Sequence, residues 1–582
     1  MAMLPGLQVE LFGDATLTSE TVAARVAWLR DVVRPRLERF LGYYRNLMTE
    51  LEGALPCAAG TRFAVAPFRQ FQEWGLPARL TGFRRAADGG ASATGLIDVQ
   101  RKEVVIENDI AWRIHTLVDF AAGKAPAIVS LARDPQTRAR LTAVIAAIVE
   151  CAGGLSFFQE LVLQGAIYGS AWVHLRPTAE LLMRLGKGAT AGGGPQGSDP
   201  DQGSAFEVGA AAAGQGGAAV GRWLQMKIVE TGRVCPLPRG GGMGCECVEA
   251  GETTPGYAAV LSDQVERGAD ASAALGFLER LRVWLVRGNG SAGHGRAASE
   301  QLSFDIFGPA MWQRYVDGVL VDAGSNPLGF VPFVRYENQR DAAAGTARGP
   351  AGSGVVDTGV GEVEPLIPLQ DELNTRLSDR AYRVTMTAFR MFLGKGIDEF
   401  VKRPIGPGQM WQTDNTAATV EAFGGDAASP SESAHIEEVR EALDKISGVP
   451  PVAAGLLRDK LGNLTSAVAL RLTLVSLLAR TDRRRAAITR TLSQVVRLVL
   501  EVLDRAGIVT SAPEDREIDV NWPSAVPEAA TDQLAEAQTK LALGIPRSIV
   551  LGELGYGGLP EAESGTGGAG GAVSGERKVE AR

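Results

Sequence analysis

Apolar residues recur at steps of three and four over long stretches of this chain, and the longest rods they predict fall in its second half. In PLIPLQDELNTRLSDRAYRVTMTAFRMF, the residues Leu366, Leu369, Leu373, Leu377, Ala381, Val384 and Ala388 form one stripe, with Asp371, Arg376, Asp379, Arg380 and Arg383 opposite. A helix over 366–392 would be roughly 40 Å long at 1.5 Å per residue. A second stripe, Leu470, Leu474, Leu477, Ile488, Leu492, Val495, Val499 and Val502, predicts a helix over 466–505, roughly 60 Å if unbroken. Between these rods lie a Gly/Pro-rich excursion with at least two short strands and a helix in SESAHIEEVREALDKISG, with a Ser/Glu cap and a Gly448 stop. ISGVPPVAAGLLRDKLGNLTSAVALR follows, with far more loop chemistry than a simple connection needs. Beyond the second rod, 527–555 predicts a helix, a Gly-Ile-Pro turn and another helix.

The first half is more mixed. Thr18–Leu51 has helical spacing, and Pro35 should divide it into two helices. Trp28, Leu29, Val32 and Val33 form the apolar side of the first; Leu37, Phe40, Leu41 and Tyr44 form that of the second. VVIENDIAWRIHTLVDFAAGKAPAI, at 104–128, predicts a short strand, a helix and a Gly-x-x-Pro exit into another extended piece. A helix over about 135–150, another ending at Gly169, and the strand SAWVHLRP come next. Between 222 and 336, RWLQMKIVE, RVWLVRG, LSFDIFG and MWQRYVDGVLVD predict a twisted antiparallel sheet, with VDG at 316–318 as a hairpin turn. The fold class is mixed α+β.

Composition changes this picture in three places. The 71 glycines are a clear excess. They concentrate in 186–221, a Gly/Ala-dominated stretch with little to bury that reads as a disordered insert. A net charge of −8 argues against a large basic face that grips nucleic acid. Five cysteines, Cys57, Cys151, Cys235, Cys245 and Cys247, are too few and too scattered for a disulfide framework, so a reducing compartment is expected. The N-terminus carries no secretory pattern, and no window reaches 18 uninterrupted apolar residues; a soluble protein with no membrane partner is expected.

Candidate chemistry is sparse. The chain contains no G-x-x-x-x-G-K-[ST] phosphate loop, no H-E-x-x-H and no G-x-S-x-G elbow. Cys235, Cys245 and Cys247 lack a fourth zinc ligand at standard spacing. His115, His174, His294 and His435 are scattered, the first two in apolar surroundings. No enzymatic activity and no cofactor are expected. Arg480, Arg483, Arg484, Arg485, Arg490 and Arg497 gather on the second rod, as a solvated or intersubunit ion-pairing face or, less simply, a DNA contact.

The order long helix, β excursion, short helix, Pro-rich loop and very long helix, with its local sequences, resembles the portal proteins of tailed bacteriophages, including prophage and gene-transfer-agent relatives. NPLGFVPFVRYEN at 326–338 is similar to the extended segment ahead of the stem, PLQDELNTRLSD to the first stem helix, and ISGVPPVAAGLL with GNLTSAVALRL to the tunnel loop and the helix behind it. IENDIAWRIHTLVDFAAGKAP and LVLQGAIYGSAWVHL are similar to the family's wing. The resemblance spans about residues 20–555 and departs from the family at 186–221, at Cys235–Cys247 and at 339–360.

This resemblance implies an N-terminal wing over 1–185, the insert 186–221, a β-rich wing and linker over 222–360, a first stem helix over 361–392 and a clip over 393–430. A second stem helix would occupy 431–448, the tunnel loop 449–465, a long wing helix 466–510, a crown 511–560 and a loose tail 561–582. It implies a ring, typically of twelve subunits, at one capsid vertex of the virion, assembled in the host cytoplasm. Double-stranded DNA would pass through it, and the large terminase, major capsid protein and head-tail connector proteins would be partners. The implied site residues are Arg458, Lys460, Asn463 and Thr465 in the tunnel loop, and Lys395, Lys402 and Arg403 in the clip. Leu366, Leu369, Leu373, Leu377 and Val384 would provide stem packing. Two rival readings remain: a helical cytoplasmic scaffold that never contacts DNA, and an enzyme with a site near the cysteines.

Overall fold

The computed structural model describes residues 7–14, 17–50, 68–76, 79–83, 96–99, 103–190, 223–237, 255–262, 302–339, 359–388, 391–395, 416–423, 430–454, 471–526, 530–543 and 550. Two compact units, Met1–Trp522 and Pro523–Arg582, make up an α+β chain.

Helix α1 (Ser19–Trp28) starts where the Thr18 hydroxyl accepts the Thr21 N–H at 3.2 Å. It continues through a π-helical turn, Leu29–Val33, into α2 (Arg34–Arg45). Pro35 therefore sits in the first turn of α2, where its missing N–H is tolerated, and the expected division becomes a bulge within one rod. Leu29, Val33, Leu37 and Phe40 are buried as expected, whereas Val32 is exposed and Tyr43 takes the interior place expected of Tyr44. The rod ends at left-handed Asn46, short of Leu51. Two small antiparallel pairs follow, β1 (Met48–Glu50) with β2 (Phe68–Gln70), and β3 (Arg79–Phe83) with β4 (Leu96–Val99).

The main core forms where α3 (Asp109–Ala122), β5 (Ala127–Ser130), α4 (Pro135–Cys151) and α5 (Leu155–Tyr168) meet a long C-terminal helix. Ile145, Phe158, Leu161 and Val162 bury against Val495, Val499 and Val502. Gly169, with φ +91, turns α5 into β6 (Ser170–Pro177). Helix α6 (Ala179–Thr190) extends into the start of the expected insert; residues 191–221 of that insert lie outside the described residues.

The β-rich region forms two sheets rather than one. Strand β7 (Leu224–Glu230) pairs with β6, and β8 (Val234–Leu237), β9 (Tyr257–Ser262), β10 (Ser303–Phe307), β11 (Met311–Val316) and β12 (Val319–Ser325) make a five-stranded antiparallel sheet. Strand β13 (Phe333–Glu337) completes the three-stranded sheet β13-β6-β7. Asp317 and Gly318, at φ +52 and +79, supply the left-handed pair that a two-residue hairpin turn between Val316 and Val319 requires. RVWLVRG lies outside the described residues.

The rods follow. Helix α7 (Ile367–Ala388) leads to the hairpin β14 (Met391–Lys395) and β15 (Thr419–Phe423), and then to α8 (Pro430–Ser447). Pro430 opens α8, so the Ser431/Glu432 pair lies inside its first turn rather than at a cap. Residues 471–473 are helical, Leu474 interrupts, and α9 (Val475–Arg505) continues for 31 residues, about 46 Å. Leu474, Leu477, Ile488, Leu492, Val495, Val499 and Val502 are all buried, which bears out the stripe from Leu474 onward. Strand β16 (Ile518–Asn521) pairs antiparallel with β5. In the second unit, α10 (Ala530–Ala542) buries Ala537. No single described helix is long and apolar enough to cross a membrane.

Candidate functional site where the long helices meet

The stem stripe is only partly apolar packing. Leu366 and Leu373 are fully buried and Leu369 and Leu377 half-buried, but Val384 is 48% exposed. Beside the leucines, α7 buries the polar ladder Gln370, Asn374 and Ser378 at four-residue spacing. Gln370 Oε1 accepts the Asp109 N–H at 3.1 Å, and its Nε2 donates to the Glu107 carbonyl at 2.5 Å. Asn374 Oδ1 accepts the Glu107 N–H at 3.0 Å, and its Nδ2 donates to Gln72 Oε1 at 2.9 Å. Ser378 Oγ accepts the Val105 N–H at 3.1 Å. The short strand expected at 104–107 thus joins no sheet; side chains of a helix satisfy its backbone instead. Val384 lies beyond the last of these bonds.

Charge holds α8 against this frame. Arg113 reaches Asp444 at 2.6 Å and Asp109 at 3.2 Å, while Arg440 reaches Glu107 at 2.6 Å. His435 Nε2 meets Glu372 at 3.0 Å, and Arg383 pairs with Glu432. Tyr43 donates to Asp371 at 2.8 Å; burial and that bond push the phenol up to about 12.

Both roots of the Pro-rich loop are fastened at one place. Helix α8 stops at Gly448, whose φ is +66 and whose N–H donates to the Asp444 carbonyl at 2.8 Å. From the returning side, Ser476 Oγ donates to the Gly448 carbonyl at 3.1 Å, and Arg480 Nη2 to the Ile446 carbonyl at 2.7 Å. Val449 is fully buried at this junction, and Pro451–Ala454 form a single 3-10 turn. Arg458, Lys460, Asn463 and Thr465 lie outside the described residues, as do Lys402 and Arg403. Lys395 is exposed in β14, opposite Thr419.

The arginine cluster divides in a way its sequence does not announce. Arg484 is only 2% exposed; its Nε donates to Asn338 Oδ1 at 3.2 Å and its Nη2 pairs with Glu362. Arg480 Nη1 reaches the other Glu362 oxygen at 2.9 Å. Arg485 donates to the Ala121 and Phe120 carbonyls at 3.2 and 3.1 Å and stands over the Trp522 ring. These three tie α9 to its own chain; Arg483, Arg490 and Arg497 are exposed. Glu362 is the residue sequence reasoning missed. Its only signal is an acid just ahead of a predicted helix.

The histidines also separate. His115 is exposed beside Tyr44 rather than enclosed by apolar groups, which corrects the sequence expectation. His174 stacks on Phe333 with ring centroids 4.4 Å apart; burial, with Arg176, Lys227 and Arg233 nearby, lowers it to about 4. His294 lies outside the described residues. Cys235 is buried in β8, Cys245 and Cys247 lie outside the described residues, and no metal-sized group of three His, Cys, Asp or Glu occurs among the described residues.

Two rods, an antiparallel strand pair between them and a loop fastened at its root make a frame that presents a loop. Residues 301–555 match the family model described as phage portal protein, SPP1 Gp6-like. Over that region the chain is similar to the phage portal proteins. A solved structure titled "Virion of native gene transfer agent (GTA) particle" is similar at a TM-score of 0.35 and 11% identity, with 77% of this chain and 89% of that chain covered. No curated protein matches the chain.

Proposed function

We propose that this chain is a portal protein that closes into a ring of twelve at one capsid vertex, through which double-stranded DNA is packaged and later ejected. The ring docks a large terminase during packaging and head-tail connector proteins afterwards, with the major capsid protein around it. It assembles in the host cytoplasm and carries no catalytic site; the motor is a separate protein. The wing, stem, clip, loop and crown divisions implied by the resemblance describe its parts.

The observation that carries this reading is the fastening of the loop root by Ser476 and Arg480 within the region that matches the family. A loop that leaves and returns at one rigid point can change its reach while the helices stay still. Pro450 and Pro451 limit its freedom, and Gly455 and Gly462 let it bend. Arg458, Lys460, Asn463 and Thr465 offer phosphate donors without a broad basic face, so a duplex can slide. Lys395, Lys402 and Arg403 are assigned to terminase docking.

Ring closure needs one face of each subunit against a different face of the next. Leu366 and Leu373 are used up inside the chain, so half-buried Leu369 and Leu377 and exposed Val384 remain for that contact. The test replaces residues 455–463 with a Gly/Ser run and measures nuclease-protected DNA in assembled particles. Loss of packaging with rings intact supports the assignment. Unchanged packaging removes the loop from the mechanism.

A further inference from the structure

A cleft of about 160 Å³ opens beside the loop root, between α9 and the segment after β13. Arg480, Arg483, Arg484 and Arg490 line it from one helix, and Glu337 and Glu362 face them. Four guanidinium groups thus meet two carboxylates, which leaves a surplus of two positive charges in a chain whose net charge is −8. Glu362 is already shared between Arg480 and Arg484. Arg484 is 2% exposed, and its Nη1 has no hydrogen-bond partner among the described residues. Burial, together with the charges of Arg484 and Arg483, lowers the pKa of Arg480 against the opposing pull of Glu362. The charge surplus and the unmade Arg484 donor mark a cationic site short of an acceptor, because a buried donor left unmade costs free energy.

We propose that this cleft is an oxyanion-binding site, built to take one carboxylate or phosphate-type group between the buried Arg484 and the exposed rim of Arg483 and Arg490. Planar guanidinium forks suit a two-oxygen acceptor, and a charge-assisted bond is about twice as strong as a neutral one. The volume admits such a group with some of its water, each water occupying about 30 Å³ in the liquid. The oxyanion comes either from a free anion or from an acidic side chain of a second copy of this chain, whose surplus of acids makes it a complementary partner. Its place beside Asn338, Glu362 and Arg480 means that occupancy steadies the joint from which the loop departs.

The experiment uses the full chain and its Arg483→Gln/Arg490→Gln variant, which leaves the Glu362 network untouched. Thermal unfolding is followed against inorganic phosphate and against chloride at matched ionic strength, and ring assembly is followed against salt. If the source is a free anion, phosphate raises the Tm saturably where chloride does not, and the variant binds about tenfold more weakly. If the source is a second copy, phosphate has no specific effect, but the variant's rings dissociate at lower salt than those of the parent. The proposal is overturned if parent and variant respond alike to phosphate and to salt.

Discussion

Arg480 closes over Gly448 so tightly that a methyl group on that glycine would lie 2.6 Å from the guanidinium Nε. The same arginine holds the Ile446 carbonyl and Glu362. One side chain therefore links the end of α8, the entry to α7 and the start of α9, and the loop departs from that link.

Gly448→Ala should destabilise the chain by about 2 kcal/mol, because a side chain at φ +66 costs about 1–2 kcal/mol before Arg480 is displaced. Urea unfolding checks it. A loss no larger than the about 1–2 kcal/mol of backbone strain would mean that Arg480 swings aside freely.

Glu362→Ala leaves Arg484 charged and buried without its carboxylate. The expected loss is about 3–5 kcal/mol, the usual effect of breaking a buried pair from one side. Glu362→Leu combined with Arg484→Met should lose less than the two single changes summed, as measured by a double-mutant cycle.

Asn374→Leu removes the acceptor for Glu107 N–H and the donor to Gln72. It should cost about 1–3 kcal/mol for the groups left unmade, although leucine is the more apolar residue. Val384→Asp, on the exposed end of the same helix, should change chain stability by less than about 0.5 kcal/mol. Ring yield on a sizing column should nevertheless fall, since Val384 is assigned to the subunit contact.

His174 is a base whose folded value, about 4, lies below its ordinary 6.5. The unfolded chain binds more protons between those values, so stability rises with pH across the window and is lost as pH falls from 6.5 toward 4. The loss should be on the order of 2 kcal/mol. His174→Gln should flatten the profile when unfolding midpoints are compared at pH 4.5 and 7.

The long rods were legible because burial alone shapes them: every described member of the stripe from Leu474 to Val502 is interior. Turn chemistry was equally readable at Gly169, Asp317–Gly318 and Gly448, where left-handed backbone demands particular residues. What periodicity missed was polar. Gln370, Asn374 and Ser378 share the four-residue spacing of the leucines, but their partners at 105–109 lie more than 250 positions away in the chain. The arginines of α9 look alike in sequence, and only the distant Glu362, Asn338 and Trp522 divide the inward group from Arg483, Arg490 and Arg497. Strand pairing failed for a related reason, since β7 joins β6 and not its sequence neighbours in the second sheet.

Electron microscopy of the purified chain tests the central claim most directly. The account predicts annular particles with a central channel wide enough for duplex DNA, with density for the segment between Ala454 and Arg471 reaching toward that channel. Solid particles, filaments or monomers alone, or annuli in which that segment faces away from the opening, would contradict it.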